Sequence, residues 1–565
     1  MSRFPPAEAA DWRRIRRYAV PRWMIERATA RRLAGDWAGA CAAAAVDVDF
    51  ELPRIAGKYG ADVATAVADD LHHFAPDLLR WHLPRLLGGR TTLAPNLTVL
   101  LSGHHPPGRG GAPYLYVLTP AMTEGPQRLT LRFGQLGEEH RPGAADITTE
   151  DWTTARHLWD VRHAAELREH CGGNAERPPF LNADGTPRPP SELPRSDPGD
   201  DPAERAEWAA LLHEEGEVEA AFAAAGVTAD LTPPPSRGWY HTDPKALLAA
   251  RPFSLTRLEP GIRRLAEAGA GNRFRIANGW RNSILLELTD RTGPGGGLRV
   301  SVVQEDDSPV MPRALWRELP DLGLLRSGRL APAQLHPLVG AALFPSLPVP
   351  KGPPGPEAPV PVRVRCRGSW HRVLSRGGRL DVPHGEEEQQ RERAMRAFGG
   401  AVAGCFAVQQ AWTSGTGRLP RALRDQRREL FLRAQHGDTP GVLELLDAGV
   451  DPRIRDGARR GLLHVLNLLD HEPLLPRLLS AGLDLEGRDH RERTPLCAAV
   501  GHGGSVALVE ALLAAGARID VVDTMELSLA QVIRKYKRHD LAFLRERVEK
   551  EHPGIGADWW EEWEQ

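Results

Sequence analysis

The stretch LLSAGLDLEGRDHRERTPLCAAVGHGGSVALVEALLAAG, residues 478–516, decides how the last quarter of the chain folds. It begins and ends on the same phrase: Leu478-Leu479 followed by Ala481-Gly482, then Leu512-Leu513 followed by Ala515-Gly516. The phrase occurs once more as Leu445-Leu446 and Ala448-Gly449, so the steps are 33 and 34 residues. Asp456, Asp489 and Asp523 keep the same steps. Self-similarity at a fixed period of this size means stacked supersecondary units, each burying its apolar face on the next, rather than one closed core. The parts have physical jobs. Leucines bury a helix against the neighbouring unit, and Leu446, Leu479 and Leu513 are expected to fill that space. The glycine takes the left-handed conformation that caps a helix C-terminus. The Asp-containing segment turns the chain into the next unit.

These residues resemble the ankyrin repeat family. Thr494-Pro495-Leu496 matches that family's TPLH signature, with Cys497 in place of the histidine. Ala499 and Gly503 fit its later positions, with one residue inserted before the second helix. Leu463-His464 keeps the end of the signature one repeat earlier, where Thr-Pro is lost. A first unit (Leu430, Ala434, Gly437-Asp438, Val442) and a last (Leu527, Leu529, Ala530) look like capping repeats. The resemblance covers roughly 421–550. It implies an all-α solenoid of about four repeats that presents turns and a concave helix face to a protein partner, and it implies no catalysis.

In such a stack the turns project as fingers along one edge. The first finger carries Arg455, Arg459 and Arg460, the second Arg488, His490, Arg491 and Arg493, and the third, 522–527, no basic residue. Residues 421–565 hold 21 basic and 25 acidic residues, so this is a local basic edge on an acidic segment. Arginine forks bind carboxylates bidentately, so the expected partner is a protein with an acidic segment. The plain alternative is that the arginines keep the turns soluble.

Outward from the repeats the chain is less explicit. Residues 1–172 and 238–412 read as two α+β units with small antiparallel sheets. In the first, Leu33, Trp37 and Cys41 make one helical stripe, and Val63, Val67, Leu71, Phe74 and Leu78 make another. Strand-like runs at 97–101, 114–118 and 129–133 predict an antiparallel meander, and Thr148 with Asp151 predicts a helix ending at Gly172-Gly173. Residues 173–237 are a Pro-rich linker with one charged helix over 203–225. In the second unit, Ile284, Leu286 and Leu288 oppose Leu298, Val300 and Val302 across a GPGGG turn at 293–297. A Pro-rich connector at 345–361, three strands over 360–382 and one closing helix over 386–412 complete it. That helix places Met395, Phe398, Val402 and Cys405 on one stripe. Residues 551–565 form an acidic, aromatic tail.

Composition limits what else the protein does. The 565 residues carry a net charge of −2, which gives no global field for nucleic acid or anionic membrane. Arginine-heavy, lysine-poor usage points to a bacterial genome of high GC content. Only six lysines occur and none precedes Ser or Thr, so no Walker A loop is present. No GxSxG, HExxH or EF-hand pattern occurs either. The five cysteines lie at least 39 residues apart with no CxxC, which supports neither a disulfide framework nor a Cys-based zinc ribbon. His163, Glu166 and His170 share a helix face, but Trp152 and Trp159 lie there too, and aromatic packing is the expectation. The pairs His72-His73 and His104-His105 are set aside as ligands. Arginines interleaved with Trp12, Trp23 and Trp37 point around their helix, which disfavours nucleic acid. No catalytic, cofactor or metal residue is expected. The first 17 residues hold no signal-type apolar run, and 399–412 is too short to span a bilayer, so a cytoplasmic location is expected. The leading expectation is an intracellular interaction protein or scaffold. The alternative is an enzyme with an unrecognised site in residues 1–412 and the repeats as its targeting arm.

Overall fold

The structure, a computed structural model, describes residues 5–104, 112–137, 148–235, 242–278, 282–289, 297–304, 306–398 and 402–557. It forms two compact units. One comprises Met1–Pro120 with Arg128–Pro354, the other Ala121–Gln127 with Gly355–Gln565.

Two sheets organise the first unit. β1 (Val46–Val48), β2 (Leu97–Gly103), β3 (Tyr114–Leu118), β4 (Leu129–Gly134) and β5 (Thr148–Asp151) pair in the order β1-β4-β3-β2-β5. The central β2–β3–β4 meander is antiparallel, as the alternation of Leu129, Leu131 and Phe133 requires, and β1 and β5 add parallel flanks. The second sheet joins β6 (Val227–Asp230), β7 (Arg273–Asn278), β8 (Asn282–Thr289) and β9 (Gly297–Val303) in the order β6-β9-β8-β7. Ile284 opposes Val302, Leu286 opposes Val300 and Leu288 opposes Leu298, in the register expected from sequence. Of the GPGGG turn, only Gly297 lies among the described residues.

Several expected elements differ. No long helix opens at Thr148: Thr148–Asp151 is a strand paired with β2, followed only by short turns at Arg156–Leu158, Ala164–Glu166 and Leu167–His170. Two adjacent β-branched threonines and an open sheet edge outweigh the capping pattern there. The stripe Leu33, Trp37, Cys41 spans two helices, Arg22–Leu33 and Trp37–Ala43. Gly35 breaks it with φ +76° and Asp36 caps the second helix, accepting from Gly39 N at 2.8 Å, so Leu33 faces solvent. The helix over 203–225 likewise divides into Pro202–Glu214 and Val218–Ala224. The Pro-rich 173–202 stretch is packed, not free. Phe180 and Leu181 are buried, and the buried Glu207 carboxylate accepts from Phe180 N at 2.6 Å and from the guanidinium of Arg188 at 2.7 Å. One continuous apolar cluster runs from Ala9 to Phe344.

The second unit begins with β10 (Val362–Cys366), β11 (Ser369–Arg376) and β12 (Arg379–Asp381), an antiparallel sheet in that order. The single closing helix of the sequence reading is two, Glu386–Ala397 and Gly404–Ser414; Met395 and Phe398 are exposed, so they belong to no buried stripe. Val364, Val373 and Leu380 share their apolar cluster with Cys405, Trp412 and with Leu423 and Leu430 of the helix Arg421–Gln435. One boundary between the units falls at Pro354 and Gly355, inside the expected 238–412 unit.

Helix pairs then recur at the sequence period: Arg421–Gln435 with Thr439–Asp447, Leu462–Leu468 with His471–Ser480, Pro495–Gly501 with Val506–Ala514, and Leu529–Lys535 with Ala542–Glu551. Gly449, Gly482 and Gly516 all take positive φ at the helix ends. The next amide returns to the helix each time: Val450 N to Leu445 O, Leu483 N to Leu478 O and Ala517 N to Leu512 O. Leu445, Leu478 and Leu512 are the deeply buried members of the leucine pairs, whereas Leu479 and Leu513 are only partly buried. The inter-helix filler is thus one residue earlier than expected, except that Leu446 is buried too. Where Thr-Pro is lost, Leu462–Leu468 winds as a 3₁₀ helix; where it is kept, Thr494 caps an α-helix by accepting from Cys497 N at 3.3 Å.

Candidate interaction surface

Three turns repeat the same hydrogen bonds. Asp456 accepts from the backbone amides of Ala458 and Arg460 through one oxygen, at 2.9 Å each. Asp489 does the same with Arg491 at 2.8 Å and Arg493 at 3.0 Å, and Asp523 with Met525 at 2.8 Å and Leu527 at 3.0 Å. The third residue after each Asp, Arg459, Glu492 and Glu526, has positive φ, between 56° and 60°. Successive turns are stitched by His490 N to Ala458 O and Thr524 N to Arg491 O, both 3.0 Å. Aspartate is needed because its short carboxylate can accept two amides of its own turn while the chain reverses.

This geometry sorts the seven basic residues expected at the edge. Arg460 Nε donates to Asp456 at 2.9 Å, and Arg493 Nη2 donates to the buried Asp489 at 2.7 Å. Burial alone would raise the Asp489 carboxyl, but hydrogen bonds from Arg493 outweigh it and hold the group below the ordinary carboxylate range. Arg455 Nη1 donates to Arg488 O at 2.9 Å, and Arg459 Nη2 donates to Asp489 O at 2.8 Å and Glu492 at 2.9 Å. These four guanidinia hold the turns together. Arg488, His490 and Arg491 are the exposed members. Below them lies His464, buried, with Nδ1 accepting from Gly461 N at 3.2 Å and Nε2 beside Arg493 O at 3.2 Å. Burial pushes its pKa down to about 4.

A cleft of about 840 Å³ opens in the same unit. Arg376, Arg379 and Asp381 line it from the sheet, Gln409 and Thr413 from the helix Gly404–Ser414, and Arg453, Arg455 and Asp484 from the repeats. Of the seven edge residues only Arg455 reaches it.

Residues 491–524 match the ankyrin repeat family. The match includes the Thr494-Pro495-Leu496 cap, the helix pair Pro495–Gly501 and Val506–Ala514, and Asp523 of the third turn. Comparison with curated proteins finds no match. The ankyrin repeat is a protein-interaction module, and no helix among the described residues is long and apolar enough to cross a membrane.

The clusters set aside from sequence are brought together differently. His163 pairs with Glu166 at 2.7 Å, while His170 stacks on the buried His157 with centroids 3.8 Å apart. Burial lowers the His170 pKa to about 3, so the stacked rings stay neutral. Trp152 and Trp159 are buried, in keeping with aromatic packing. His104 meets Ser102 at 3.0 Å and Asp70 at 3.3 Å, but both through Nε2. A relay needs one ring nitrogen for each partner, so this trio is not arranged as a nucleophile–base–acid chain. In the N-terminal arginine segment, Arg16 is a core residue: it binds Asp321 bidentately at 2.7 and 2.8 Å and lies 4.5 Å from the Trp81 ring centre. Trp12 is buried beside it and offers no face to a base. His105 and Asp558 onward lie outside the described residues.

One group escaped the sequence reading. Cys366, His371, His384 and Cys405 place their ligand atoms within 4.8 Å of one another. They come from three places, the β10–β11 hairpin, the segment after β12 and the helix Gly404–Ser414, and the only local signal is Cys366 five residues before His371.

Proposed function

We propose that residues 421–550 form a short ankyrin-type solenoid and that the chain is an interaction protein, recruiting a partner through an acidic segment laid along the finger edge. The observation that carries this reading is the repeated Asp-stapled turn, which engages four of the edge arginines and leaves Arg488, His490 and Arg491 exposed on the second finger, Arg488 3.8 Å from Glu492 and His490 Nδ1 3.1 Å from Ala458 O. Rim charges of this kind steer association and set its salt dependence more than its final affinity. The five cysteines are free, which suits a reducing compartment, and a cytoplasmic location is part of the proposal.

The test is affinity capture from the source cells with the full chain and with Arg488→Glu/His490→Glu/Arg491→Glu, read by mass spectrometry, followed by association kinetics with the captured protein. Slower association and a flatter salt dependence in the variant, at unchanged melting temperature, support the reading. Equal kinetics at low salt overturn the edge assignment and move attention to the cleft lined by Arg379 and Arg453.

A further inference from the structure

We propose that Cys366, His371, His384 and Cys405 form a structural zinc site. Zn–S bonds of about 2.3 Å and Zn–N bonds of about 2.0–2.1 Å give a tetrahedron with S···N edges of about 3.6 Å and N···N edges of about 3.3 Å. Here Cys366 Sγ lies 3.6 Å from His384 Nε2, Cys405 Sγ lies 3.5 Å from His371 Nδ1, and the two ring nitrogens are 3.2 Å apart. Each pair is ordinary alone. Together they match three of the six edges of one tetrahedron, and all four ligand atoms lie within 4.8 Å of one another, so the remaining edges close by side-chain adjustment when the ion binds. Two thiolates and two imidazoles are the donor set that selects zinc among the common divalent ions.

The fold prepares this arrangement from several directions. In the β10–β11 hairpin Cys366 opposes Ser369 and Val364 opposes His371, so Cys366 and His371 share one face of the sheet. Arg367 and Gly368, both with positive φ, make the tight turn between them. His384 follows β12, and Cys405 is the second residue of the helix Gly404–Ser414. Gly404 has φ +59°, and a β-carbon there would collide with Cys366 Sγ; glycine is required for the two thiols to approach. Both cysteines and the His384 ring are buried. The His384 Nδ1–H donates to Glu388 Oε2 at 3.1 Å, which fixes the tautomer and leaves the Nε2 lone pair facing the thiols. Glu388 is itself paired with Arg367 at 3.3 Å.

With four protein ligands the site has no open position, which marks it as structural rather than catalytic. Binding is redox-neutral: two thiol protons are released and two thiolates balance the Zn²⁺ charge. The site clips the three-stranded sheet to the helix whose Val408 and Trp412 pack into the repeat cluster, a small sheet that gains much from a staple. This role is independent of the partner-binding proposal.

The test uses the full chain, stripped with chelator under reducing conditions and reloaded with Zn²⁺ or Co²⁺. One metal per chain is expected, and the cobalt form should show intense visible bands of tetrahedral Co²⁺ with a thiolate-to-cobalt charge-transfer band. Cys366→Ser/Cys405→Ser should lose the metal, whereas Cys41→Ser/Cys171→Ser/Cys497→Ser should retain it. Glu388→Gln, which keeps all four ligands, should weaken zinc affinity by about 10–100-fold. The wild-type cobalt spectrum decides even if a ligand variant does not fold. Substoichiometric metal, a spectrum without thiolate charge transfer, unchanged metal in the double-cysteine variant, or a Cys366–Cys405 disulfide in the metal-free chain purified under reducing conditions would each overturn the assignment.

Discussion

The first unit and the repeats use the same chemical pair, arginine with aspartate, over very different chain distances. In the first unit Arg16 and Asp321 are 305 residues apart, and both side chains are buried. In the repeats Arg460 with Asp456 and Arg493 with Asp489 are four residues apart, each closing its own turn. The long-range pair forms only when the whole unit has assembled, and its loss strands a buried charge. The local pairs form within one turn, and in the proposed solenoid stacking supplies the rest. The first unit should therefore melt as one body, while damage in the repeats should spread mainly to neighbours.

The contrast can be broken most severely at Asp321. Asp321→Ala leaves the Arg16 guanidinium buried between Trp12 and Trp81 without its carboxylate, and a cost of about 3–5 kcal/mol is expected in chemical denaturation. In the repeats, Leu478→Ala should cost about 2–5 kcal/mol, and Leu479→Ala distinctly less, because only Leu478 is fully buried. Equal costs would mean that the repeat register is misassigned. Asp489→Ala removes the acceptor of two backbone amides and of Arg493, and about 1–3 kcal/mol should be lost, most of it from the second finger.

A titration sharpens the comparison through pH, its effect spread over the range between 6.5 and 4. Buried His464 titrates near 4 in the folded chain, against an ordinary value of 6.5. As pH falls through 6.5, the unfolded state takes up a proton that the folded state refuses, so stability declines until about pH 4, at no more than about 1.4 kcal/mol per pH unit. His464→Asn should flatten that decline between pH 6.5 and 4 in pH-dependent melts; an unchanged slope would show that the group is not held neutral.

How much of this was readable from sequence follows the same division. The period of 33 and 34 residues puts Asp456, Asp489 and Asp523 in one structural role three times over, so each instance checks the others. The strand pairing of β8 with β9 was legible because period-two alternation is strict on both sides. Elements decided by remote partners were not. Thr148–Asp151 became a strand because β2 offered an edge, and nothing local marks Arg16 as a core residue because its partner Asp321 lies 305 residues along the chain. The Cys366, His371, His384, Cys405 cluster was invisible for the same reason: its spacing matches no compact ligand motif, and only the fold gathers it. Among the seven basic residues expected at the edge, sequence could not separate Arg460 and Arg493, which hold turns, from the exposed Arg488 and Arg491.

The most direct test of this account is native-state hydrogen exchange on the full chain carrying Leu478→Ala. Nearest-neighbour stacking predicts lost amide protection within Arg421–Gln435 through Ala542–Glu551, greatest in the helices flanking position 478, with β2, β3, β8 and β9 protected as in the wild type. Equal loss of protection in those four strands would contradict it.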